Sequence, residues 1–381
     1  MQIESLDIHL RNRHEELRKA KQNGIKIIGY FPGNYVPEEL IYASGAVPLC
    51  LVDGGNSIPA DAALSVVPSV ICPFARTQLG EMSAKTNPYY ALVDMIIAPI
   101  TCQHLRKVVE IWEYYGDLEI FKLGIPHRYD GDFELDYYTD RLRALTDRLQ
   151  AFTGNNITRE KVSKAIELYN KLRELLRKIS MTRCAVNPPL SALDFIRLNH
   201  ASFYADPAFM VDVLESVYQD LVGKQKTAQD GAPRLLLIGP NMSNGDYKVL
   251  ELVEAAGGQI VIEEIDEGIR YYWQVIENKG DLYQSLAKGY LADRLPAAFM
   301  RNSTKKRLES AIELVKEFDV SGVIWYELAN CETYDSESYY FTRQFEELKI
   351  PILVLESEYG IANEGQLRTR VQAFIEIVKG V

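Results

Sequence analysis

A chain of 381 residues is too long to organise around one ordinary hydrophobic core, so more than one structural unit is expected. Its 47% apolar and 25% charged residues are those of a globular protein, and a net charge of −11 argues against non-specific binding to nucleic acid or an anionic membrane, which both need a basic surface. No apolar run approaches the roughly 18 residues of a membrane span, and the charged stretch Met1 to Lys26 lacks the apolar core of a signal peptide, so a cytoplasmic location is expected.

Residues 4 to 23 alternate in charge as a surface helix does. Ile25 to Phe31 is an apolar run that predicts a buried strand, followed by a turn at Pro32-Gly33-Asn34. Val36-Pro37-Glu38-Glu39-Leu40-Ile41-Tyr42-Ala43 opens a helix with proline and acids in its first turn, and Gly45 is placed to end it. Ala46 to Val52 is the next strand. Strand, helix and strand in this order demand a right-handed crossover and a parallel sheet. Further strands are expected at Leu92 to Pro99 and Leu118 to Ile125, with a helix from about Gln103 to Tyr115 between them. From Tyr138 to Ile179 the pattern turns helical, with Thr158 as an N-cap, and a second helical block runs from about Ser191 to Leu221. The polar stretch Gly223 to Pro233 is expected to be a linker.

Beyond it the first half repeats in outline. Arg234 to Pro240 is a strand ending in Gly-Pro, Glu251 to Gly258 is a helix ending in glycine, and Gln259 to Ile265 is a strand where Val47 to Val52 was. Val320 to Leu328 leads to Cys331 as Asp94 to Ile100 leads to Cys102. A strand from Ile350 to Glu356 and a helix from Gln366 to Lys379 close the chain. The expectation is an α/β protein with two parallel-sheet lobes of similar fold, spanning 1–145 and 231–381, joined by a helical region over 146–230.

Five cysteines in a chain of this length are no disulfide scaffold. Cys50, inside a strand, is expected to be core, and so is Cys184. Cys72, Cys102 and Cys331 instead sit at element boundaries, beside Pro, Thr or Asn. Each alone can be packing. If the three meet, no partner set completes a closed zinc site, because His104 is expected to point away from the start of its helix. Three thiolates suit an iron–sulfur cluster with one iron left open. Arg76, His104, Arg106, His127, Arg301, Arg368 and Arg370 are candidates for phosphate contacts, with solvation or ion pairing as the plainer role. Glu38 and Glu39 are either first-turn charges or an acid/base pair facing the cleft. Asn34 and Tyr35, beyond the first strand, are candidate pocket residues. The 23 tyrosines are expected in part to line a cleft. There is no Walker loop, no Gly-x-Gly-x-x-Gly and no Gly-x-Ser-x-Gly.

Gly29-Tyr30-Phe31-Pro32 through Tyr35 to Pro48 closely resembles the opening signature of the 2-hydroxyacyl-CoA dehydratase and benzoyl-CoA reductase subunits. Ile71-Cys72-Pro73-Phe74-Ala75-Arg76, the strand into Thr101-Cys102, Cys331 before Glu332-Thr333-Tyr334, and Gly365 to Glu376 are similar as well, in order and over nearly the whole chain. The resemblance implies two flavodoxin-like lobes and a [4Fe-4S] cluster held in the cleft by Cys72, Cys102 and Cys331. It implies pairing with a homologous second subunit or with a second copy. It also implies an ATP-dependent iron–sulfur activator that injects one low-potential electron. In the dehydratases that electron makes a ketyl radical of an acyl-CoA thioester; in the reductases electrons reach the ring of an aryl-CoA. Gln103 departs from the pattern, since many relatives have Asp after the second cysteine. A non-catalytic two-lobed protein that closes on a small ligand, and a structural partner that keeps a cluster only to join its lobes, are the rival expectations.

Overall fold

The computed structural model describes residues 2–222, 231–361 and 363–380, and builds them on two four-stranded sheets. The first holds β1 (Ile27–Tyr30), β2 (Val47–Cys50), β3 (Met95–Ile100) and β4 (Glu119–Gly124) in the order β2-β1-β3-β4. The second holds β5 (Arg234–Ile238), β6 (Gln259–Glu264), β7 (Gly322–Leu328) and β8 (Ile352–Ser357) in the order β6-β5-β7-β8. Every pairing is parallel. Advancing each strand number of the first sheet by four gives the second, so the two lobes share one topology, that of a flavodoxin-like doubly wound sheet. Strands β1, β5 and β7 are buried throughout, which is why they are written as near-continuous apolar runs rather than alternating ones. Pro99 is tolerated in β3 because β1 has already ended opposite Ile97, and only β4 continues alongside.

The first lobe carries α1 (Gln2–Gln22), α2 (Glu38–Ala43), α3 (Ser57–Ala62), α4 (Pro73–Ala84) and α5 (Gln103–Tyr115). A helical layer follows: α6 (Asp132–Thr153), α7 (Arg159–Met181), α8 (Ala192–Ser202) and α9 (Pro207–Leu221). The second lobe adds α10 (Lys248–Ala255), α11 (Ile269–Tyr272), α12 (Leu282–Ala287), α13 (Ser303–Glu317), α14 (Glu332–Glu347) and α15 (Glu364–Gly380). Thr158 caps α7 by accepting the Lys161 N–H at 3.3 Å, and Gly45 follows α2 in the left-handed region at φ 77°. The sequence does not announce α14, whose Thr, Tyr, Asp and Ser are poor helix formers. Its stability comes from burying Tyr334, Phe341 and Phe345, the first two against Trp325. Of the expected linker, residues 223–230 lie outside the described residues. Among those described, no helix is long and apolar enough to cross a membrane.

The loops after β2, β5 and β8 tie the lobes together through backbone. Asn244 donates its N–H to Val52 O at 2.9 Å and accepts the Gly54 N–H at 3.0 Å; Gly360 donates to Gly55 O at 2.9 Å. Gly55 has φ 75°, and a Cβ there would stand 2.3 Å from Gly245 O, so only glycine permits this approach. Gly80 is a second such point, since its Cβ would fall 1.6 Å from Pro59 O where α3 crosses α4. Gly80→Ala should therefore push α3 outward and cost about 1–3 kcal/mol despite the better helix propensity of alanine. A urea midpoint that rises in this variant would refute the packing argument.

Candidate metal centre

In sheets of this kind the ligand crevice lies beyond the carboxyl ends of the strands, where the winding changes direction. In the first lobe that point is the end of β1 and β3, and Cys102 follows β3 by two residues. Cys331 follows β7, the equivalent strand of the other lobe, and Cys72 comes from the segment leading into α4. The three line one cavity of about 1130 Å³, with Phe299, Asn302 and Tyr340 on its wall.

Each of the three cysteines is the N-cap residue of a helix: Cys72 of α4, Cys102 of α5 and Cys331 of α14. Pro73, in the first turn of α4, costs no hydrogen bond because that N–H would be unpaired anyway. Cys102 Sγ accepts the Leu105 N–H at 3.5 Å. Asn330 adopts the left-handed conformation (φ 61°) that sets Cys331 at the head of α14, and its amide reaches Ser69 O at 3.5 Å, joining this turn to the Cys72 segment. Three helix N-termini thus meet the cavity where negative charge is favoured.

Burial works in the opposite direction. It pushes the Cys331 thiol up to about 12 and raises Cys72 and Cys102, with the other thiols of the group adding to the rise at Cys72. The backbone N–H groups of Leu105 and His104 pull against it at Cys102 without reversing it. Left to themselves the three sulfurs stay protonated, and a cationic group is what would make them thiolates.

Among the described residues, no group of three or more His, Cys, Asp or Glu is arranged to hold a metal ion. A closed tetrahedral zinc site is therefore a poor fit. The three thiols line one cavity without forming such a group; by the chemistry of the donors alone, three sulfurs with no fourth protein ligand are what a cluster with one open iron would take.

Of the other candidates, His127 and His104 line the cavity, and the rest lie elsewhere. Glu38 and Glu39 are buried and absent from the cavity wall. Arg173 lies 2.7 Å from Glu39 and 3.9 Å from Glu38; Tyr271 donates to Glu38 at 3.0 Å and Tyr290 to Glu39 at 2.7 Å. Burial raises the Glu38 carboxyl, with Arg173 opposing. Asn34 donates its side-chain amide to Asp266 O, and Tyr35 is buried with its hydroxyl accepting the Ala297 N–H at 3.4 Å. Tyr35 reaches the cavity only through Phe299, ring to ring at 5.6 Å. Cys50 is core, and Cys184, at the end of a 3-10 helix, is partly buried and packs against it. Arg76 is buried and paired with Glu358 at 2.7 Å.

His104 corrects the sequence expectation. It does not point away: it lines the cavity, and its Nδ1 accepts the Cys72 N–H at 3.2 Å, because α5 starts beside the turn into α4. Burial lowers its pKa and keeps the ring neutral as that acceptor requires. Residues 298–305, which supply Phe299 and Asn302, carry no motif that marks them. Ser336, Glu337 and Tyr340 recur at helical spacing on α14, a signal available only once that helix is known.

The family model for the D-component of 2-hydroxyglutaryl-CoA dehydratase matches residues 34–378. YjiM of Escherichia coli (strain K12), provisionally named a dehydratase subunit, is 26% identical over 94% of this chain and 93% of its own length. The (R)-phenyllactyl-CoA dehydratase beta subunit of Clostridium sporogenes is 24% identical over 94% of each chain. A benzoyl-CoA reductase subunit of Thauera aromatica is 22% identical over 93% of this chain and 91% of its own.

Proposed function

Because the chain belongs to the 2-hydroxyglutaryl-CoA dehydratase D-component family, we propose that it is the iron–sulfur subunit of a cytoplasmic enzyme acting on acyl-CoA thioesters. The observation that carries this reading is the meeting of three cysteines, distant in sequence, at three helix N-termini around one cavity. Cys72, Cys102 and Cys331 would hold a [4Fe-4S] cluster with one iron free of protein. When bound, that group supplies a low-potential single electron to the thioester, received in turn from an ATP-dependent activator.

The chain's own residues do the rest. Burial of the three sulfurs, and the helix N-termini behind them, tune the potential of whatever they hold. His104 fixes the turn that carries Cys72 by accepting its N–H. Phe299 and Ala298 give the cavity an apolar wall, while Asn302 and Thr304 offer polar groups for orienting a ligand. Glu38 and Glu39, paired as they are, serve the joint between the lobes and not proton transfer to substrate. Asn34 and Tyr35 act behind the wall as supports for Phe299 and the neighbouring turn.

The names of relatives such as the (R)-phenyllactyl-CoA dehydratase beta subunit favour dehydration of a 2-hydroxyacyl thioester alongside a homologous second subunit. Reduction of an aryl-CoA ring is the second reading, resting on the likeness to the Thauera aromatica reductase. Protein purified without oxygen should be brown and carry about four irons and as many sulfides per chain. A colourless product after anaerobic reconstitution with iron and sulfide would sink the proposal.

A further inference from the structure

His104 is tied to all three segments that carry the cavity cysteines. It lies two residues beyond Cys102 in the first turn of α5, and its Nδ1 accepts the Cys72 N–H at 3.2 Å. The charge that acts on its ring is the carboxylate of Glu332, the residue after Cys331. His104 and Glu332 both stand on the wall of the cysteine cavity. The ring is therefore placed where the turn into α4 and the starts of α5 and α14 come together.

The bond to Cys72 decides which ring nitrogen carries the proton. A backbone N–H can only donate, so Nδ1 offers its lone pair and the proton sits on Nε2. Nε2 has no hydrogen-bond partner among the described residues, yet it is not one of the unpaired polar atoms sealed from solvent. A half-turn of the ring would set a carbon against the Cys72 N–H, so the donor is held in place. An open, unpaired and fixed N–H on a cavity wall is a donor offered to what the cavity holds.

We propose that the Nε2–H of His104 donates a hydrogen bond to the group held by Cys72, Cys102 and Cys331, and so raises its reduction potential. The inference rests on the iron–sulfur reading above. Hydrogen bonds to the sulfurs are among the levers that set a cluster's potential, because a donor stabilises the electron-rich reduced form more than the oxidised one. The neutral ring does this without adding net charge to the centre.

Two substitutions separate the donor from the acceptor. His104→Asn can set an amide oxygen where Nδ1 stood and has nothing at the Nε2 position. His104→Gln can set an amide N–H where Nε2 stood and leaves the Cys72 N–H unmet. Each protein is reconstituted anaerobically with iron and sulfide and titrated with redox mediators, the reduced fraction being read by electron paramagnetic resonance. At the parent's midpoint His104→Asn should show about a tenfold lower ratio of reduced to oxidised centre, ~59 mV for one electron, while His104→Gln stays within about threefold. Melting of the metal-free proteins should run the other way, with His104→Gln the less stable. A ring that only holds the Cys72 turn gives the opposite order of potentials. An unshifted or raised potential in His104→Asn, or a fall in His104→Gln as large as in His104→Asn, would overturn the assignment. Iron uptake lost in His104→Asn and kept in His104→Gln would support it; uptake lost in both would overturn it. All of these results leave the iron–sulfur reading standing, whereas a parent that takes up no iron sinks that reading and this one with it.

Discussion

Replacing Cys102 by serine should leave a folded protein that no longer retains iron and has lost at least ~100-fold of its activity, since even outer partners of metal ligands are worth 10–100-fold. The substitution is informative because of where the residue sits. Cys102 is the N-cap of α5, and its sulfur accepts the Leu105 N–H at 3.5 Å. Serine is among the best N-cap residues, so the helix start should hold as well as before or better. Thermal melting of the metal-free proteins should agree within about 0.5 kcal/mol, isolating the lost ligand from any lost structure. Cys50→Ser provides the converse case. It places a hydroxyl on the fully buried end of β2, so it should destabilise by about 1–3 kcal/mol while leaving the iron content untouched. Iron retained in Cys102→Ser, or lost in Cys50→Ser alone, would contradict the ligand assignment.

The largest effect on stability is expected at Arg173. Its guanidinium is fully buried on α7 and faces Glu39 and Glu38 of α2, with Nη2 donating to the Tyr290 hydroxyl at 2.7 Å. Tyr290 in turn donates to Glu39, so one cation joins the first lobe, the helical layer and the second lobe. Arg173→Met keeps much of the volume and removes the charge, leaving two carboxylates buried without their cation, at a cost of about 3–5 kcal/mol. Adding Glu39→Gln should recover a sizeable part of that loss, because the penalty comes from the stranded charge and not from the missing contact. Denaturant unfolding of the single and double variants measures both. A double variant no more stable than Arg173→Met would place the loss in packing instead.

The tyrosine count is legible in hindsight through the same joint. Tyr30, Tyr271 and Tyr290 carry hydroxyls to buried carboxylates, Tyr326 does so for Asp246, and Tyr334 receives Arg270. Tyrosine suits this work because one side chain fills apolar volume and satisfies a polar atom. Of the described tyrosines, only Tyr340 lines the cysteine cavity, so the cleft they were expected to line is chiefly the joint between the lobes and not the candidate centre.

Strands and the repeat could be read because a buried parallel strand is an apolar run whatever surrounds it: Ile27–Tyr30 and Arg234–Ile238 needed no partner to be recognised. The three cysteines stood out because each closes a strand or opens a helix. His104 was misjudged because its direction depends on how α5 meets the turn into α4, a tertiary fact with no local signature. Glu38 and Glu39 show the same limit. Acids in a first helical turn look alike whether they face solvent or, as here, a buried arginine; their partner Arg173 lies on another element, far along the chain.

The backbone stitching between the loop after β2 and those after β5 and β8 bears on how anything enters the thiol chamber. A two-lobed trap of the flytrap kind gapes by rotating one lobe about a slack connector. Here rotation would have to pull apart amide–carbonyl pairs at Val52, Gly54 and Gly55, each worth about 0.5–1.5 kcal/mol and worse if left dry. Entry to the thiol cavity need not wait on such a rotation, since Tyr340 on its wall already stands exposed to solvent.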